Sequence, residues 1–124
     1  MGTGKRYIRQ ILDDPQQRKQ VMALADAIVP ALPRFAGVMN DLRVQQSLDD
    51  LPLNQIRAPA LIVHSRYDGD VPYENATHAH AKIPSSELIT VDQFGHMLWW
   101  GNPGVTRNFQ ARVEDFIRSH VNLT

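Results

Sequence analysis

Cysteine is absent from the 124 residues, which excludes disulfides, thiol nucleophiles and cysteine-held metals. An excess of either charge sign is lacking too: 13 Lys and Arg stand against 13 Asp and Glu, and the basic residues are scattered. Nucleic acids and anionic membrane surfaces call for a concentrated positive field, so neither is an expected partner. No apolar run approaches the roughly 20 residues that span a bilayer. The opening "MGTGKRYIRQIL" has positive charge but no apolar stretch behind it, so it does not read as a secretory leader. A cytoplasmic location is the default expectation. There is no internal repeat and no low-complexity segment. What is present is ordinary for a globular chain: 43% hydrophobic and 21% charged residues, at a length that can bury a core if the fold is complete.

Residues 13–29 carry the signals of a helix start. Asp14 can cap, Pro15 suits the first helical position, and Gln17 sits where a capping-box partner reaches back. Val21, Leu24, Ala25 and Ile28 then form one apolar stripe, and Pro30 and Pro33 are expected to end it. A second stripe of Phe35, Val38, Met39 and Leu42 predicts another helix over about residues 34–48, against a cost of about 1 kcal/mol for Gly37. The character changes beyond "DLPLNQIRAP". "ALIVH" is a continuous apolar run of the kind covered on both faces in a parallel sheet. Pro72 can open a helix carrying Ala76, Ala79 and Ile83; "ELITV" predicts a second strand and "DQFGH" a loop. Asn102 and Pro103 start a last amphipathic helix with Val105, Phe109, Val113, Phe116 and Ile117 on its apolar side.

The expected order is two helices, then strand, helix, strand, helix, which argues an α/β arrangement with parallel strands. Two strands are few for a doubly covered sheet. Ligands gather at the carboxyl ends of strands in open α/β sheets, because loops converge there. The first strand leads to Asp68 and Asp70, and the second leads within five residues to His96. A carboxylate accepting a hydrogen bond from an imidazole fixes its tautomer and stabilises the imidazolium formed in general-base catalysis.

Blander readings stand beside this one. Asp68 can be only a turn or helix-capping residue of an Asp-Gly pair, Asp70 is a rival acid or a solvated or capping carboxylate near the helix at Pro72, and His96 can be a locally bonded loop residue. Ser65 lies too close to Asp68 along one strand end to leave room for an imidazole between them. His64, His78 and His80 invite a metal reading with the aspartates, but His-x-His on a helix points its rings about 200° apart, and no metal is expected. Met97, Leu98, Trp99 and Trp100 form either a pocket wall or packing beneath the last helix.

"PALIVHSRYDGDVPYENA", then "IPSSELITVDQFGHMLWW" and a closing helix with "VEDFI", resembles the C-terminal part of an α/β-hydrolase of esterase or lipase-like type. In that family the triad runs Ser, then Asp or Glu, then His along the chain. The resemblance places Asp68 on the acid, Val71-Pro72 on the pair that closes the acid motif, and His96 of Gly95-His96 on the histidine. It implies that residues 1–50, where "RFAGVMND" is similar to lid segments, form a helical lid, and that residues 51–124 form the C-terminal hydrolase segment. Phe35, Met39, Met97 and Trp99 are then candidate pocket residues.

Two positions depart from the pattern. Ser65 stands where glycine usually follows the histidine, and Gly-x-Ser-x-Gly is missing, with none of the five serines in a strand-turn-helix elbow. A triad without its nucleophile and oxyanion hole cannot form an acyl-enzyme. The expectation is therefore an incomplete α/β-hydrolase fold, truncated or split, inactive alone. In the complete enzyme an absent serine would attack a small ester-like substrate, with no cofactor required. The competing expectation is a non-catalytic domain that works by self-association or by pairing with a separate N-terminal chain, through an exposed sheet edge.

Overall fold

The computed structural model describes residues 3–28, 31–48 and 50–120. Among them are five helices and two strands: α1 (Thr3–Asp13), α2 (Pro15–Ile28), α3 (Ala31–Gln46), β1 (Ala60–Tyr67), α4 (Tyr73–Lys82), β2 (Ser86–Phe94) and α5 (Pro103–His120). Among the described residues no helix is long and apolar enough to cross a membrane.

Helix α1 is an addition to the expected elements. Among its described side chains Tyr7 and Ile11, one turn apart, are half-buried, while Ile8 and Leu12 are exposed. Asp14 separates it from α2 and caps the latter, its Oδ1 accepting the N–H groups of Gln16 at 2.9 Å and Gln17 at 3.0 Å. The reciprocal bond differs from the expected capping box: the Gln17 amide donates to Asp14 Oδ2 at 3.0 Å. Gln17's side-chain bond, with the two N–H groups, holds the Asp14 carboxyl below its usual range.

Helix α3 begins earlier than the stripe suggested, at Ala31 rather than near residue 34, and closes at Gln46. Pro33 therefore lies in its first turn, where a missing N–H breaks no helical bond, and does not end α2. Pro30 falls outside the described residues. The stripe of Phe35, Val38, Met39 and Leu42 is exposed throughout, at 60%, 50%, 48% and 47%.

The two strands pair in parallel, from Ala60 opposite Ser86 to Ser65 opposite Val91, with α4 as the crossover. β2 runs farther than expected: Asp92, Gln93 and Phe94 belong to the strand, and the loop starts only at Gly95. The reason is period two. Ile89, Val91 and Gln93 alternate onto one face, at 4%, 2% and 2% exposure. The core gathers on that face, with Ile89, Val91, Leu98 and Phe109 packed together and Leu61, Val63 and Val105 against them. Burying Phe109 alone is worth about 2 kcal/mol. Asn102 caps α5 as expected, accepting the Gly104 N–H at 2.9 Å, and Ile117 is the member of the α5 stripe left exposed.

Candidate active site

Near their carboxyl ends the strands lose regular register, so that Tyr67 pairs with Phe94 after Ser65 has paired with Val91. Such bulges bend a strand and re-aim its side chains. Ser65 bridges the irregularity. It is fully buried, donates its hydroxyl to the Gln93 carbonyl and accepts the Tyr67 N–H. Every described positive-φ residue is a glycine, so a serine at position 65 creates no backbone strain.

Asp68 follows directly after β1. Its Oδ1 accepts two backbone N–H groups, from Asp70 at 2.8 Å and Val71 at 3.0 Å, which fixes the carboxylate plane. Its Oδ2 faces the His96 ring, with Nδ1 at 2.8 Å. His96 reaches this position because Gly95, at φ 108°, turns the chain off the end of β2. The carboxylate is 3% exposed and the imidazole 46% exposed, so the acid lies inside and the ring at the rim. A second imidazole, His64, brings Nε2 within 3.7 Å of the same Asp68 oxygen and packs edge-on against the Tyr73 ring.

Electrostatics follow from this geometry. Burial is the largest influence on Asp68 and would raise its pKa, but the Val71 N–H, the His96 ring and the Asp70 N–H together outweigh it and hold the carboxyl at about 2. The hydrogen bond to Asp68 raises the His96 pKa above the ordinary imidazole value, burial opposes this, and the charges of Asp68 and Asp70 add to it. With Nδ1–H donated to the carboxylate, the lone pair of a neutral His96 ring sits on Nε2. That is the arrangement of a general base.

The pair expected from the strand ends is thus brought together. Asp70 stands beside it as an exposed carboxylate; α4 has Pro72 at its cap with no side-chain bond, so Asp70 does not cap that helix. Asp68, Asp70 and His96 offer ligand atoms within 4.8 Å of one another, and within this group His96 Nδ1 and Asp68 Oδ2 are hydrogen-bonded to each other. His78 and His80 lie apart from this group on α4, with His80 Nδ1 2.9 Å from the Ser86 hydroxyl. Ser65 is sealed from solvent, Ser47, Ser86 and Ser119 donate their hydroxyls to the carbonyls of Val44, Ile83 and Phe116, and Ser85 is exposed. Phe35, Met39, Met97 and Trp99 are all exposed, so they do not enclose a pocket, and Trp99 lays its ring on Phe109 at 5.3 Å.

Three glutamines at the site escaped the sequence reading. Gln93 is buried beneath the histidine loop, and Gln17 and Gln20 reach that loop from α2. The alternation of Ile89, Val91 and Gln93 is the available signal for the first; the capping pattern marks Gln17 only as a partner of Asp14, and no pattern marks Gln20.

Residues 39–118 match the family of TAP-like proteins, a branch of the α/β-hydrolases. The chain belongs to the α/β-hydrolase family. Within this family it is 30% identical over 100 residues to the Pseudomonas savastanoi pv. phaseolicola protein named "Putative carbamate hydrolase RutD", a match covering 77% of this chain and 38% of that one. It is 34% identical over 65 residues to "Uncharacterized hydrolase YcgS" of Bacillus subtilis, covering 52% and 23%. Among solved structures, an α/β-hydrolase fold protein from Nakamurella multipartita superposes with a TM-score of 0.78 at 32% identity, covering 92% of this chain and 39% of its own. The α/β-hydrolase thus spans well under half the length of these relatives.

Proposed function

We propose that this α/β-hydrolase chain supplies the acid and the base of a serine-type catalytic triad acting on a small carbonyl substrate of ester or carbamate type. The observation that carries the reading is the 2.8 Å contact between His96 Nδ1 and a buried Asp68 carboxylate, with the rest of the ring at the rim. The name of the Pseudomonas relative supports carbamates as a substrate class beside esters.

In this reading His96 Nε2 takes the hydroxyl proton as a serine attacks the carbonyl, and then returns it to the leaving group. Asp68 keeps Nδ1 protonated and stabilises the imidazolium. The serine comes from outside these 124 residues, in the same polypeptide or in a partner chain, because none of the five serines at positions 47, 65, 85, 86 and 119 sits in a Gly-x-Ser-x-Gly elbow. Helices α1 to α3 serve as a lid-like cover, and Met97 and Trp99 flank the substrate.

Two measurements test the reading. In the chain itself, Asp68→Asn should abolish the far-downfield Nδ1–H resonance of His96 and lower its pKa. In a chimera carrying the elbow-bearing N-terminal portion of a family relative, His96→Ala and Asp68→Asn should each lower kcat for an aryl ester or carbamate, Asp68→Asn by up to about 10⁴-fold. A chimera whose turnover ignores both substitutions would sink the proposal.

The exposed apolar stripe of α3 favours a second, compatible reading, in which the chain works in association with another copy or with a separate chain. Light scattering during size-exclusion chromatography should then find a dimer or larger species; a monomer at high concentration contradicts self-association.

A further inference from the structure

The loop carrying His96 is held from two sides by side-chain amides. From beneath, the buried Gln93 amide occupies its centre: Nε2 donates to the carbonyls of Leu98 at 3.1 Å and Trp100 at 2.6 Å, and Oε1 accepts the Asn102 N–H at 2.9 Å. One carboxamide therefore does for the loop what a ladder partner does for a strand, satisfying three backbone groups at once. Leu98 is pinned in the core, and Gly101 passes so close that a Cβ there would stand 2.9 Å from Gln93 Cδ.

From outside, α2 grips the same loop. Gln17 Oε1 accepts the Gly101 N–H at 2.8 Å, and Gln20 Oε1 accepts the Trp100 indole N–H at 3.0 Å. The Gln17 amide is itself oriented by its bond to Asp14, the cap of α2. A hydrogen-bonded path thus runs from the start of α2 through Gln17 to Gly101, and Gln93 closes the loop on its inner side.

We propose that Gln93, Gln17 and Gln20 are positioning residues for His96, so that the seating of α2 and the alignment of the histidine on Asp68 are coupled through the loop of residues 95–102. This rests on the reading of His96 as the general base. The carboxylate is fixed by its own backbone turn at Asp70 and Val71, so the ring is the movable partner. The other groups that face the pair are His64 from β1 and Asp70, and neither touches the three glutamines.

The test is a histidine NMR titration of the full chain, comparing wild type with Gln17→Ala/Gln20→Ala, Gln93→Leu and Asp68→Asn. The double variant removes two long side chains from the surface and should keep the fold. It should move the His96 pKa toward the ordinary imidazole value and broaden or remove the Nδ1–H resonance, in the same direction as Asp68→Asn. Gln93→Leu should do so more strongly wherever it folds. A merely structural role would lower the melting temperature and leave the titration of His96 in the folded molecule unchanged, and that result in the double variant overturns the proposal. The two readings part cleanly. If Asp68→Asn itself leaves His96 unmoved, the acid-base reading fails; if Asp68→Asn moves it and the glutamine variants do not, only the positioning role fails.

Discussion

Adding one methyl group to each of three glycines should produce three different results, and their order tests the packing described around the histidine loop. Gly37 lies inside α3, with nothing within 4 Å of a Cβ placed on it. Gly37→Ala should stabilise by about 0.5–1 kcal/mol, through better helix propensity and a less flexible unfolded chain. Gly95 also has open space, but its φ of 108° is one that side-chain-bearing residues rarely adopt. Strain of about 1–3 kcal/mol, less an unfolded-state gain of about 0.4–1 kcal/mol, leaves Gly95→Ala destabilised by about 1–2 kcal/mol. Gly101 combines a φ of 118° with a Cβ 2.9 Å from both Cδ and Oε1 of Gln93. Gly101→Ala must therefore pay the strain and also push the Gln93 amide off its three partners, at about 1 kcal/mol for each lost bond. A loss of about 3–5 kcal/mol follows, a large fraction of the stability of an ordinary domain. Urea unfolding at neutral pH, followed by circular dichroism and by the fluorescence of Trp99 and Trp100 beside the site, reads out all three. Gly101→Ala as stable as Gly95→Ala would refute the close packing of Gln93 on the loop.

Stability should depend on pH through the same pair from both ends. Asp68 is lowered from 3.8 to about 2, so its contribution, about 2 kcal/mol, is present above the unfolded-state value and is lost as pH falls through about 2. His96 is raised from 6.5, so its contribution is present below that value and is lost as pH rises through the folded-state one. Asp68→Asn should flatten both slopes of the urea midpoint against pH, and unchanged slopes would contradict the pairing. In the core, Phe109→Ala should cost about 3–5 kcal/mol and weaken the near-UV signal of Trp99, whose ring packs tilted against it. The exposed Arg66 and Asp92 pair, at 3.0 Å across the strands, should show almost no coupling in a double-mutant cycle of urea midpoints, since solvent and salt screen it.

The strand-end acid and histidine were legible because their chemistry coincides with local signals. An apolar run stops at Asp68, and a Gly-His step follows the second run, so position along a strand and residue type point the same way. Helix α1 is hard to read locally because its short stretch has the basic charge of a leader and no capping box, and Tyr7 and Ile11, one turn apart, are its faint helical mark. Pro33 was misassigned because a proline reads as a stop after one helix and as a start before the next, and only the geometry of Ala31 onward decides between them. Gln93 was hidden for a different reason. A polar residue at a strand's end looks like loop, and the three backbone groups that bury it belong to residues 98, 100 and 102, whose path no local pattern specifies. Gln17 and Gln20 resemble any polar helix face until the far end of the chain folds against them.

The bond from Gln17 to Gly101 joins positions 84 residues apart, whereas the Ser65 to Gln93 bond that ties the strands together joins positions 28 apart. Closing the longer loop costs about 1 kcal/mol more chain entropy than closing the shorter. The strand-helix-strand unit can therefore assemble first and α2 arrive late, which makes the docking of α2 the natural first step of local unfolding. The Gly101 amide hydrogen sits at that junction. Its rate of exchange with solvent deuterium would report how often the two ends of the polypeptide part company while the sheet between them stays intact.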